Sequence, residues 1–126
     1  MDMISHLTLG TNNLSAAEAF YSKILKLMEA TQIYKSDSVI FYEFPESDTK
    51  LSITKPFNGQ DATAGNGTML ALKLKSADSV EAVYQLAMDL GAKCEGAPGP
   101  RNENAYFGAY FRDLDGNKIA IFYRQS

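Results

Sequence analysis

One histidine, one cysteine and a few hydroxyls and guanidinium groups carry most of the reactive chemistry open to this chain of 126 residues. His6 is the only histidine and Cys94 the only cysteine. An imidazole can bind a metal, accept a proton near neutral pH or polarise a neighbouring hydroxyl. A nucleophilic Cys94 would need a base beside it, and His6 is the one imidazole that could serve. Nothing in the spacing brings the two together, so Cys94 reads as a small buried apolar residue. With one thiol there is no internal disulfide and no thiolate metal cluster. A His6–Ser52 pair is conceivable. A hydrolase triad would also need an orienting carboxylate and an oxyanion hole, and the sequence locates neither. Arg101 and Arg112 could each hold an anionic group by bidentate contacts, with surface ion pairs as the plainer expectation. Tyr42, Tyr106, Tyr110, Phe122 and Tyr123 could pack or could stack a planar ligand.

The whole chain narrows the partners. Its net charge is −3, and its lysines and arginines are scattered rather than clustered. That argues against nucleic acid, which needs a concentrated positive footprint. No apolar run approaches membrane-spanning length, and the first residues lack a basic-then-apolar leader. The expectation is a cytoplasmic protein with no membrane partner. Hydrophobic residues at 45% against 21% charged are enough to build a core without disulfides or a structural metal.

The elements that must position these groups come in duplicate. Glu18–Tyr21 (EAFY) aligns with Glu81–Tyr84 (EAVY) at an offset of 63, which also places His6-Leu7-Thr8-Leu9 on Met69-Leu70-Ala71-Leu72. At an offset of 68, Lys50-Leu51-Ser52-Ile53 falls on Lys118-Ile119-Ala120-Ile121. A repeat of this kind sets the architecture. Each half reads as an alternating strand, a helix and three strands. The strands are expected at Met3–Gly10, Glu29–Tyr34, Ser38–Phe44 and Lys50–Lys55, then at Thr68–Lys75, Lys93–Glu95, Ala105–Arg112 and Lys118–Tyr123. Ser15 and Asp78, each with a glutamate three residues on, read as helix caps. Phe20, Ile24 and Leu27 in one helix, and Val83, Ala87 and Leu90 in the other, read as core stripes. Asp115-Gly116-Asn117 makes a tight turn. The segment 56–67 is a linker, and 96–104 a turn-rich loop that could serve as a lid.

The fold class is therefore α+β, with two βαβββ modules of one domain (1–126), spanning about 1–55 and 68–126, that form a curved mixed sheet around a cavity. Alternation turns Leu7, Leu9, Leu51, Ile53, Leu70, Leu72, Ile119 and Ile121 toward the helices. The opposite, cavity-lining face carries His6, Thr8, Ser52, Thr54, Met69, Ala71, Ala120 and Phe122. Clefts of this kind are where small ligands bind.

This order of elements, with His6-Leu7-Thr8-Leu9, Asn13-Leu14, Ala19-Phe20-Tyr21, Gly65-Asn66-Gly67-Thr68, Gly96-Ala97-Pro98-Gly99-Pro100 and Phe111-Arg112-Asp113-Leu114-Asp115-Gly116-Asn117, resembles the glyoxalase/bleomycin-resistance/dioxygenase (vicinal oxygen chelate) superfamily. Leu114 stands where that family commonly has proline. The resemblance implies a homodimer, in some members with modules exchanged. It also implies, in metal-dependent members, one divalent ion held by His or Glu at positions that here are His6, Ser52, Met69 and Ala120. Alanine has no donor, a thioether is soft, and a serine hydroxyl is weak unless ionised. Catalytic zinc sites use three protein ligands. The expectation is thus a small-molecule binder with no cofactor and no divalent metal. The alternatives are a lyase, isomerase or dioxygenase with a rebuilt metal site, and a metal-free enzyme using His6 as base.

Overall fold

The computed structural model describes residues 3–125, so residues 1, 2 and 126 of the expected modules lie outside the described residues. The chain divides into two compact units, one ending at Thr63 and the other beginning at Ala64. Each builds its own four-stranded mixed sheet with one helix, and neither sheet closes into a barrel.

In the N-terminal unit, β1 (His6–Gly10) leads into α1 (Leu14–Lys26), then β2 (Thr31–Lys35), β3 (Val39–Phe44) and β4 (Ser47–Thr54). The sheet order is β1-β4-β3-β2, with β1 parallel to β4 and the rest antiparallel. In the C-terminal unit the elements are β5 (Met69–Lys73), α2 (Ala77–Asp89), β6 (Lys93–Arg101), β7 (Tyr106–Arg112) and β8 (Lys118–Tyr123). Their order, β5-β8-β7-β6, repeats the first arrangement. Both sequence offsets reappear in the ladders. Leu7 pairs with Leu51 and Leu70 with Ile119, positions shifted by 63 and 68.

Each helix buries one face of its sheet. Ala17, Phe20, Tyr21, Ile24 and Leu25 of α1 are buried, as are Ile40, Tyr42, Leu51 and Ile53 of the strands. Val80, Val83 and Ala87 of α2 are buried in their unit with Ala109, Phe111, Ile119 and Ile121. Removing such apolar side chains from water is the main term that holds each unit together. The buried Tyr42 hydroxyl finds its partner in Ser22 Oγ of the helix at 2.7 Å.

Several expectations need correction. Leu7 is 43% exposed and Leu9, Leu70 and Leu72 are half-buried. β1 and β5 are edge strands, and the helices lie over the other strands. Leu27 is half exposed because it caps the end of α1, where the chain turns away through Glu29 at φ 61°. The helix caps are Asn13 and Ser76, whose side chains accept from the backbone N–H of Ala16 and Ser79, and not Ser15 and Asp78. Cys94 is exposed rather than buried. The expected lid is a strand: β6 continues to Arg101, paired with β7 with irregularities around Gly96. Pro98 and Pro100 lack an N–H, and an edge strand tolerates that. The turn that follows runs through Asn102, Glu103 and Asn104, all at positive φ. The Asp115–Asn117 turn forms as expected, with Asp113 Oδ1 accepting from the backbone N–H groups of Asp115 and Asn117 at 2.9 Å each. No helix among the described residues is long and apolar enough to cross a membrane.

Candidate functional site

On the helix-free face of the N-terminal sheet, the ladder aligns Thr8, Ser52, Phe41 and Tyr34 in one row across all four strands. Thr8 Oγ1 and Ser52 Oγ share a hydrogen bond of 2.7 Å. Ser52 is 1% exposed, and its hydroxyl also lies 3.5 Å from the Leu7 carbonyl. Both hydroxyls are therefore occupied within the sheet. His6 stands one pleat along, opposite Lys50, so the strand register keeps it from Ser52. Its Nδ1 meets Ser5 Oγ at 3.0 Å instead, and its ring sits edge-on to Phe41 with centroids 5.0 Å apart. Tyr34 adds a second edge contact to Phe41 at 6.3 Å. His6 is exposed, and among the described residues its Nε2 has no partner. Thr54 Oγ1 donates to the Ser38 carbonyl at 3.1 Å. Thr54 also reaches an open groove of about 600 Å³ lined by Thr11, Asn12, Ser38 and the Lys55–Asp61 turn.

The equivalent face of the C-terminal sheet is built differently. Met69 pairs with Lys118, and Ala71 aligns with Ala120, Tyr110 and Gly96. Met69 is 46% exposed, whereas Ala120 is 4% exposed beneath its neighbours. Phe122 lies edge-on to Tyr106 at 6.0 Å. The hydroxyls of Tyr106 and Tyr110 hydrogen-bond to each other. That bond, followed by burial, raises the Tyr110 pKa above its ordinary value, against a smaller opposing pull from Arg101. The Arg101 guanidinium and the Lys118 ammonium each stand 5.5 Å from the centre of the Tyr110 ring. Arg124 lies at the same distance from Phe122.

Of the two arginines singled out from sequence, Arg112 is already engaged. Its Nε donates to Glu95 Oε1 at 2.7 Å and its Nη1 to the Gly116 carbonyl at 3.1 Å. The Arg112 hydrogen bond holds the Glu95 carboxyl below its usual range. Among the described residues Arg101 makes no such pair; its Nη2 donates to the Ala97 carbonyl, and its Nε is shielded from water without an acceptor. Tyr42 and Tyr123 lie on the helix side of their strands, away from these groups. Sequence reasoning missed Lys118, Phe41 and Tyr34. The signal for Lys118 was present, since alternation puts it two residues before Ala120 on the same face.

Among the described residues no three His, Cys, Asp or Glu side chains converge as a metal site would require. Of the four positions that the family resemblance marks for a metal, His6 offers one strong donor. Met69 offers a thioether, Ser52 a hydroxyl sealed by Thr8, and Ala120 nothing.

Comparison with known proteins is consistent over nearly the full chain. The sequence profile of the Glyoxalase/Bleomycin resistance protein/Dioxygenase superfamily matches residues 3–121. A glyoxalase/bleomycin resistance protein from Albidiferax ferrireducens T118 is 34% identical, with 98% of this chain and 100% of that one covered and a TM-score of 0.87. A glyoxalase-related enzyme from Fulvimarina pelagi shares the fold at 18% identity (98% and 89% covered, TM-score 0.79). So does a lactoylglutathione lyase from Agrobacterium tumefaciens, also at 18% identity (98% and 94% covered, TM-score 0.69). No curated protein sequence matches the chain.

Proposed function

Because this chain belongs to the glyoxalase/bleomycin resistance protein/dioxygenase superfamily, we propose that it binds a small molecule on the helix-free faces of its sheets, without a divalent ion. The observation that carries this reading is the state of Ser52. A metal ligand must turn a lone pair toward the ion, but Ser52 is 1% exposed and its hydroxyl is bonded to Thr8 at 2.7 Å. Ala120, its repeat counterpart, has no donor atom at all. One imidazole and one thioether do not make a site for a hard or borderline divalent ion. The donor set therefore does not fit the family's metal.

What remains suits binding. The faces present aromatic edges, small side chains and a few polar groups, the usual lining of a ligand site. Ligand-induced stabilisation tests this directly. Chelator-treated protein is screened against small planar and aromatic compounds by thermal unfolding. A ligand present at 100 times its dissociation constant raises stability by about 2.7 kcal/mol. Saturable shifts without added metal are the expected result, and shifts that appear only with added Ni²⁺ or Zn²⁺ would contradict the reading.

A second reading has one observation in its favour: the exposed His6 imidazole, with Nε2 unengaged among the described residues, could act as a base without metal. Turnover whose pH profile loses a limb in His6→Ala would establish it. The proposal extends to a cytoplasmic homodimer, supported by the family and by the part-exposed Leu7 and Met69 on the edge strands of their sheets.

A further inference from the structure

The C-terminal sheet carries a cluster that a packing role does not account for. Two phenols and two cations converge on its helix-free face, and glycines let them lie flat. A Cβ at Gly96 would stand 3.1 Å from the Tyr110 ring and 3.2 Å from Arg101 Nη2. A Cβ at Gly108 would stand 3.0 Å from the Tyr106 ring and 3.3 Å from the Ile121 carbonyl. Residues with side chains there would push Arg101 and Tyr106 off the sheet.

The cluster has more donors than acceptors. The Tyr106–Tyr110 bond consumes one phenolic O–H and leaves the other free to donate. Arg101 Nε is shielded from water, so the terminal nitrogens of its guanidinium are the ones that can meet a ligand. Among the described residues neither Arg101 nor Lys118 forms an ion pair, since the adjacent Glu95 is held by Arg112. A positive, donor-rich patch is complementary to an acceptor-rich anion, and a guanidinium matches the geometry of a carboxylate. The Phe122 and Tyr106 rings beside it offer edges and faces to a planar body.

We propose that Arg101, Lys118 and the Tyr106–Tyr110 pair form a carboxylate-recognising subsite, so that the ligand of this protein is a small planar molecule bearing a carboxylate. This rests on the binding function proposed above and assigns that ligand its chemical class.

The test compares 4-hydroxybenzoate with its neutral counterpart 4-hydroxybenzamide, followed by chemical-shift titration of the full-length protein. The benzoate is expected to bind about tenfold more tightly, the scale of one charge-assisted hydrogen bond. Arg101→Gln and Lys118→Gln should each remove most of that preference, while affinity for the benzamide stays unchanged. Arg101→Lys, which keeps the charge and loses the fork, should restore it only in part. Lys23→Gln, on the exposed side of α1, should change nothing. Shifts should concentrate on β6, β7 and β8. Equal affinity for the two probes would overturn the subsite and leave the binding function standing. So would an acid preference that survives Arg101→Gln and Lys118→Gln. Failure of both probes would overturn the subsite, and only a blank thermal screen as well would remove the binding function.

Discussion

Ser52 and His6 show how far a residue's type can mislead about its role. The serine stands at a position that the family resemblance marks for a metal ligand, yet its hydroxyl bonds within the sheet. Its bond to Thr8 is a part-buried hydroxyl pair, and removing one partner leaves the other without a mate. Ser52→Ala should cost about 1 kcal/mol in chemical denaturation. His6→Ala, which removes an exposed ring with one edge contact and one exposed hydrogen bond to Ser5, should stay within about 0.5 kcal/mol. The opposite ranking would mean that His6, not Ser52, is structurally engaged. Tyrosines give a second prediction at this scale. Burial raises Tyr42, and hydrogen bonding raises Tyr84 and Tyr110. A raised folded-state pKa means that folding favours the neutral phenol. The resulting stability is complete below the ordinary tyrosine pKa of about 10 and is lost as pH rises through the folded value. In an ultraviolet titration these three should ionise above the ordinary tyrosine value, and Tyr110→Phe should remove part of that late phase. A single uniform titration near the ordinary value would contradict this. At the level of side chains, Lys118 was legible from the alternation it shares with Ala120, whereas the exposure of Cys94 was not. Composition says which residues prefer burial, but the exposure of a particular strand end depends on what covers it.

The helices and strands were more legible, because periodicity reports directly on burial. The repeat offsets of 63 and 68 became ladder registers, Leu7 on Leu51 and Leu70 on Ile119. The misreadings fall where two local signals compete. Ser15 and Asp78 carry the cap-plus-glutamate signature, but Asn13 and Ser76, each two residues earlier, make the bonds to Ala16 and Ser79. Asn13→Ala and Ser76→Ala should each cost about 1 kcal/mol, whereas Ser15→Ala and Asp78→Ala should cost less than about 0.5 kcal/mol. A reversed order in urea midpoints would restore the original caps. β6 was misread because glycine and proline punctuate loops in sequence, while an edge strand accommodates both. That misreading hid the cluster of phenols and cations, since Arg101 and Gly96 belong to β6 and reach Tyr106 and Tyr110 only when it pairs with β7.

For the whole molecule, duplication gives each half the same scaffold and leaves the faces free to diverge. The N-terminal face became a hydroxyl row beside an imidazole, and the C-terminal face a set of phenols and cations. The fold could be inferred because both copies repeat one hydrophobic pattern. The site could be inferred only in outline, because a fold constrains the position of a functional group more than its identity. The edge strands β1 and β5 leave Leu7 and Met69 part-exposed, and a second copy would cover them. Light scattering should therefore return about twice the 13.8 kDa chain mass, and a monomer at micromolar concentration would remove the dimer.

Metal content decides whether this chain holds a divalent ion. Untagged protein is dialysed after incubation with Ni²⁺, Zn²⁺, Mn²⁺ and Fe²⁺ in turn and analysed for bound ion, with His6→Ala alongside. A tag must be absent, because His6 is the only native histidine. No stoichiometric ion is expected in either protein. One ion retained per chain, and lost in His6→Ala, would contradict it and make this chain a metal-dependent member of its family.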